Sequence, residues 1–198
     1  MQSIGAVIVA AGYGSVRSVD GSPFPKVVEA VGGRPMIVQV VNVVMEAGLH
    51  PVVVVVNPMT ADSIHETLRQ YGYQGFHEAI QPDRFGSADA VLRAVPILRQ
   101  LNCRHFLVIY ADMPLWAPGT IGSLVRVHLE REATISMVSV PLDGREPLEL
   151  RRYGRILYDA MGAISRVVEV HEATEQELRV STSVNPSLWA WDLEWLAT

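Results

Sequence analysis

Apolar and polar positions along this chain follow two alternating periods. Short unbroken apolar runs stand at residues 6–9, 51–56 and 106–110, and residues 76–81 read as a shorter strand. Such runs suit strands of a parallel sheet that is buried on both faces. Between them the apolar residues recur at helical spacing over 35–48, 60–70, 86–100 and 118–132. Pro35 at a first turn and Gly48 as a stop frame the first helix. Thr60 is placed to cap the second, with Asp62 in its first turn. In the third, Ser87 is placed as a cap and Ala88, Val91, Leu92, Val95 and Leu98 form the expected buried face. Residues 134–141 read as one more strand. This rhythm with short connections predicts an α/β fold, a Rossmann-like and mostly parallel sheet with helices on both faces.

After Pro141 the texture changes. Residues 143–152 are charged and loop-like, and strands are expected at 154–158, 164–170 and 184–191. The first two have only a polar turn between them, so this portion is expected to be antiparallel and to lie over the cleft of the main sheet. The end is abrupt. Three of the four tryptophans are Trp189, Trp191 and Trp195, and residues 192–198 read as a capped helix stopping after two turns. A short amphipathic helix needs a partner face, so a further segment is expected downstream.

Composition narrows the class. With 198 residues and 49% apolar content, the chain can bury one substantial core. A formal charge of −5 argues against nucleic acid as a partner. Cys103 is the only cysteine, so neither a disulfide framework nor a cysteine metal site is expected. The first core strand begins at once and no apolar run is long enough to span a bilayer, which predicts a cytoplasmic protein without a membrane association.

Candidate chemistry clusters at strand ends, where open α/β sheets bind ligands. The first strand runs into Ala10-Ala11-Gly12-Tyr13-Gly14-Ser15, small residues whose backbone N–H groups can face an anion. Phosphate binding is the functional reading and a tight turn the bland one. The dinucleotide fingerprint is excluded because Arg17 stands where its third glycine belongs, and no Gly-Lys-Ser/Thr follows for a Walker loop. Of 16 lysines and arginines only Lys26 is a lysine. A compact ammonium kept in an arginine-writing chain suggests a phosphate contact, against an ordinary solvated lysine. Asp112 closes the strand 106–110 through Tyr110-Ala111 and suits Mg²⁺, which takes one or two carboxylates plus phosphate oxygens and water; the alternative is an Asx turn before Pro114. Gln81 with Gly86-Ser87 can read a base edge through amide and backbone groups, or simply begin a helix.

Taken in order, the glycine loop, Pro25-Lys26, Gln81 with Gly86-Ser87, Tyr110-Ala111-Asp112, Tyr153-Gly-Arg-Ile156 and Val168-Glu-Val-His-Glu-Ala-Thr174 resemble the sugar-1-phosphate nucleotidyltransferase family. The resemblance spans nearly the whole chain and is greatest to the uridylyltransferase domain of bacterial bifunctional N-acetylglucosamine-1-phosphate enzymes. It implies the nucleotide-diphospho-sugar transferase fold, with residues 1–141 as nucleotide-binding core and 142–198 as sugar-binding portion. It implies that Val9, Ala10, Ala11, Gly12 and Gly14 hold the nucleotide, with Lys26 and Arg17 on its phosphates. Gln81, Gly86 and Ser87 would recognise uracil, and Tyr110, Ala111 and Asp112 the ribose and a Mg²⁺ ion. Gly154, Glu169 and Asn185 would hold the amino sugar. The implied substrates are UTP and N-acetylglucosamine-1-phosphate, the product a UDP-sugar for cell-wall precursors; a homo-oligomer is left open.

The chain departs from the family pattern in places. Its loop arginine, Arg17, arrives one residue late, behind Val16. Ala111 and Pro186-Ser187 replace glycine and Thr-Gly, and the family's second metal ligand, an asparagine, would lie beyond residue 198. Two other readings therefore stay beside the uridylyltransferase. One is a transferase for another sugar-1-phosphate using UTP or dTTP; the other is a binding or regulatory relative that has lost turnover.

Overall fold

The computed structural model of the protein describes residues 4–12, 16–19, 22–83, 85–144 and 147–197. In chain order the elements are β1 (Ile4–Val9), β2 (Val16–Val19), β3 (Ser22–Pro25), β4 (Ala30–Val31), β5 (Arg34–Pro35), α1 (Met36–Glu46), β6 (Val52–Val56), α2 (Ala61–Gln70), β7 (His77–Ile80), α3 (Gly86–Gln100), β8 (His105–Tyr110), α4 (Pro118–Glu130), β9 (Ile135–Met137), β10 (Val140–Pro141), β11 (Arg155–Tyr158), β12 (Ile164–Val168), α5 (Glu175–Val180), β13 (Ser183–Val184) and β14 (Trp189–Asp192).

The main sheet has the order β7-β6-β1-β8-β14-β9. Strands β7, β6, β1 and β8 run parallel, and β14 is antiparallel to β8. The five valines of β6 are all buried, as a strand covered on both faces requires. On one face Val7, Val53, Val55, Phe106 and Val108 pack against Ala90, Ala94, Val95 and Leu98 of α3. The alternate residues Ala6, Ile8, Val54, Leu107 and Ile109 are buried as well, and α1 packs on β1. The chain winds from β1 outward to β6 and β7, then jumps back across β1 to β8. That reversal makes the β1–β8 boundary a topological switch point.

Local details differ from the expected ones. The buried face of α3 is the alanine line Ala90-Ala94-Leu98 with Val95, whereas Leu92 is 51% exposed. Residues four apart lie in one row, and the small side chains let the helix sit close to the sheet. Ser87 does not cap α3; Phe85 is the cap residue and makes no side-chain bond. Thr60 does stand at the cap of α2 but its hydroxyl makes no cap bond. Asn57 organises that turn instead, its backbone oxygen accepting from Thr60 and Ala61 and its Oδ1 from the Met59 N–H at 3.0 Å.

Two compact units are present: Met1–Ser136 with Trp189–Thr198, and Met137–Leu188. Residues 142–198 were expected to stay together, yet the last strand returns to the main sheet. The expected strand 184–191 is broken at Pro186, which lacks an N–H for the ladder, and at Ser187, whose φ is +60°. Beyond that turn Trp189–Asp192 pairs with β8. The expected strand 134–141 is likewise divided between two sheets, as β9 and β10. The second unit holds the antiparallel sheet β10-β13-β11-β12 and the short helix α5. That helix is closed by a reciprocal capping box between Thr174 and Glu177, a Thr-x-x-Glu signature visible in the sequence. After Asp192, whose Oδ1 accepts from the Glu194 N–H, the chain makes only a 3-10 turn, Trp195–Ala197.

Candidate active site

Strand pairing sets Val9, Ala10, Gln81, Tyr110 and Ala111 at the carboxyl ends of the parallel strands. Val9 and Tyr110 lie in register on β1 and β8. Just beyond them Ala111 N–H donates to Val9 O at 3.0 Å, Ala10 N–H to Val55 O and Gln81 N–H to Val56 O, both at 2.8 Å. Ala10, Ala111 and Gln81 are thus the next rungs of one ladder. Ala10 and Ala11 are buried, and Gly12 emerges from the surface with open space where a Cβ would stand. The Ala11 carbonyl accepts from Asn57 Nδ2 at 3.3 Å. Asn57 is fully buried and ties the start of α2 to the loop after β1. Gly14 lies outside the described residues. Arg17 falls on β2 opposite Phe24, with only its backbone described.

Lys26 follows β3 and opens a 3-10 turn, Lys26–Val28. Its ammonium lies 3.6 Å from Asp112 Oδ2, the two side chains being 46% and 41% exposed. A pair so open to water contributes at most about 1 kcal/mol to stability. Asp112 sits in the turn closed by Met113 N–H to Tyr110 O at 3.2 Å. Among the described residues no backbone N–H donates to its carboxylate, so it is not held as an Asx turn. Ala111, where the family pattern has glycine, is fully buried, and its methyl is absorbed in the interior.

No three His, Cys, Asp or Glu side chains among the described residues are grouped to hold a metal. One open carboxylate nevertheless fits Mg²⁺, whose shell is commonly completed by substrate phosphates and water. No helix among the described residues is long and apolar enough to cross a membrane.

Gln81 is buried at the end of β7. Its Nε2 donates to Gly86 O at 2.8 Å and to Asp89 Oδ2 at 3.0 Å. Gly86 has φ +85°, a left-handed conformation that glycine adopts freely. Asp89 also accepts from Arg93 one turn along α3. The Gln81 amide, and then the Arg93 guanidinium, hold its carboxyl below the usual range. Asp89 and Arg93 were not picked out in the sequence; an i,i+4 acid–base pair in a helix reads as surface charge.

In the second unit Gly154, Glu169 and Asn185 also converge. Asn185 N–H donates to Gly154 O at 2.8 Å. A Cβ on Gly154 would stand 3.2 Å from Glu169 Oε1 and 3.3 Å from Val168 O. Asn185 is buried and its Oδ1 accepts from the Ser187 N–H at 2.8 Å.

An open α/β sheet with a glycine-containing loop, a lysine and a lone carboxylate at its switch point defines a nucleotidyltransferase of the nucleotide-diphospho-sugar transferase fold. The chain belongs to the MobA-like NTP transferase domain family, which it matches over residues 6–180. It is 35% identical over 181 residues to the bifunctional protein GlmU of Symbiobacterium thermophilum, covering 91% of this chain and 36% of that protein. To the bifunctional protein GlmU of Geotalea uraniireducens it is 31% identical over 196 residues, covering 99% of this chain and 40% of that protein. The chain therefore spans well under half the length of these relatives. A putative glucose-1-phosphate thymidylyltransferase from Bacillus anthracis shares the fold with a TM-score of 0.77 at 16% identity, over 98% of this chain and 74% of that one. CMP:2-keto-3-deoxy-manno-octonic acid synthetase complexed with CTP shares it with a TM-score of 0.71 at 16% identity, over 99% and 76%.

Proposed function

We propose that this chain transfers a uridylyl group from UTP to N-acetylglucosamine-1-phosphate, giving UDP-N-acetylglucosamine and pyrophosphate. The observation that carries the reading is the approach of Lys26 to Asp112 beside the β1–β8 switch point. The resemblance to uridylyltransferase domains and the identity with bifunctional GlmU proteins support the choice of sugar and base.

The residues divide the work as follows. The backbone from Val9 to Gly12 borders the nucleotide, and Gln81 with Gly86 and Ser87 faces the uracil. Gly154, Glu169 and Asn185 hold the amino sugar. A phosphate oxygen of the sugar phosphate attacks the α-phosphorus of UTP in line; the bond to the β-phosphate oxygen breaks and pyrophosphate departs. The attacking phosphate is ionised at neutral pH, so the step needs positioning and charge neutralisation rather than a strong base. Lys26 neutralises phosphate charge. Asp112 would hold Mg²⁺, which when bound adds further neutralisation of the phosphates.

The test is pyrophosphate release by the purified protein given UTP, N-acetylglucosamine-1-phosphate and Mg²⁺. Release that needs all three supports the reading. Faster release with dTTP or glucose-1-phosphate moves the substrate within the family. UTP binding without release with any of these acceptors points to a binding relative.

A further inference from the structure

Asp89 stands beside the Gln81 amide, at the start of α3. Among the described residues Gln81 Nε2 donates to the Gly86 carbonyl at 2.8 Å and to Asp89 Oδ2 at 3.0 Å. A carbonyl and an ionised carboxylate can only accept. The atom facing them must therefore be the amide nitrogen, and both its hydrogens are committed. Turning the amide over would set Oε1 against two acceptors in a buried site, which is strongly unfavourable. Asp89 cannot swing away easily, because Arg93 donates to Oδ1 at 3.1 Å and, more weakly, to Oδ2 at 3.4 Å.

We infer that Asp89 is a positioning residue for base choice, locking Gln81 so that its side chain offers a nucleobase only the acceptor Oε1. A carbonyl oxygen has two lone pairs, so Oε1 can accept from a base whatever else it touches. An acceptor at that point suits a base carrying N–H at ring position 3, which uracil and thymine have. Cytosine carries a lone pair there and is repelled. The selection of a pyrimidine-dione then comes in part from a carboxylate that never touches the base, acting beside the Gly86 carbonyl. The inference rests on the reading of Gln81 as the base-facing residue.

The experiment compares kcat/KM for UTP and CTP in the parent, Asp89→Asn, Asp89→Ser and Gln81→Ala proteins, with calorimetric affinities for the two nucleotides measured alongside. An asparagine or serine at position 89 can donate as well as accept, so one of the two acceptors that oppose a turned Gln81 amide is removed and only the Gly86 carbonyl remains against it. The UTP-over-CTP ratio should fall at least about tenfold in both Asp89 variants, since discrimination of this kind depends on an unpaired polar group in the wrong complex. The change should lie in KM rather than kcat, with melting temperatures near the parent's; if one variant melts early, the other carries the comparison. Adding either Asp89 change to Gln81→Ala should lower the ratio no further. A ratio that collapses in Gln81→Ala but holds in both Asp89 variants overturns the positioning role and leaves the base reading intact. A ratio unchanged in Gln81→Ala, or absent in the parent, overturns the base reading and this inference with it.

Discussion

Lys26 Nζ and Asp112 Oδ2 face each other at 3.6 Å from different elements, one at the start of a 3-10 turn and the other at the end of the β8 edge of the switch point. Opposite charges so exposed add little to stability, and each is free to exchange its partner for a ligand of opposite sign. A nucleotide phosphate can take the ammonium and a cation the carboxylate.

Replacing Lys26 by alanine should therefore cost turnover and spare the fold. Loss of a charge-assisted contact of about 1.5–3 kcal/mol corresponds to roughly 10- to 150-fold in rate. The measurement is kcat/KM for UTP together with the melting temperature. A variant within about threefold of the parent rate, a difference of well under 1 kcal/mol, would remove Lys26 from the reaction.

Asp112→Asn should weaken nucleotide binding only when Mg²⁺ is present. The neutral amide keeps the shape but loses the charge that a hard cation requires. Titration calorimetry of UTP with and without Mg²⁺ separates the two effects. Equal Mg²⁺-dependent affinities in the two proteins would return Asp112 to a plain turn residue.

Much of this arrangement was legible in the chain because it is local. The valine run of β6, the helix of α1 stopped by Gly48 and the ends of β1 and β8 follow from apolar runs, from a glycine at φ +78° and from short connections. What could not be read depends on contacts between distant segments. The return of Trp189–Asp192 to β8 is decided by which sheet edge is open, and a run of apolar residues does not say which edge it will join. On α3, Val95 and Leu98 are buried as expected, but Leu92 is not, because close packing on the sheet favours the smaller Ala90 and Ala94 over a residue of larger apolar surface. Asn57 and Asp89 act through other residues, on Ala11 and Gln81, and neither effect leaves a mark in sequence spacing.

Gly154→Ala should raise KM for the sugar phosphate several-fold while leaving the KM for UTP near the parent's. The added methyl would lie 3.2 Å from Glu169 Oε1 and 3.3 Å from Val168 O. The strand carbonyl cannot yield easily, so the Glu169 carboxylate would move by a few tenths of an ångström. Positioning of a ligand suffers from displacements of this size. If both KM values stay at the parent's, Glu169 does not hold the sugar.

The pH dependence of stability should centre on His128. This residue on α4 is buried, its Nδ1 2.9 Å from Ser136 Oγ and its Nε2 3.2 Å from His105 Nδ1. Burial, and then the neighbouring His105, push its pKa down, with Asp192 pulling the other way. His105 is pushed down by its own burial; Arg104 acts in the same direction, and Asp192 and Glu194 oppose it. Both rings are therefore neutral when folded at a pH where the unfolded chain, with a histidine pKa of about 6.5, has begun to take up protons. The unfolded state binds more protons in that window, so stability is fully present above about pH 6.5 and is lost as the pH falls through it toward the lower folded values. Two protonated rings would also place like charges on adjacent nitrogens. The melting temperature should consequently drop between about pH 7 and pH 5, at about 2–4 °C for each kcal/mol lost in a chain of this size. His128→Gln can still bond Ser136 and His105 but cannot titrate. It should melt lower than the parent at pH 8, and its decline toward pH 5 should be visibly shallower. Parallel declines in the two proteins would assign the acid sensitivity to carboxylates elsewhere and take the His105–His128 pair out of the account.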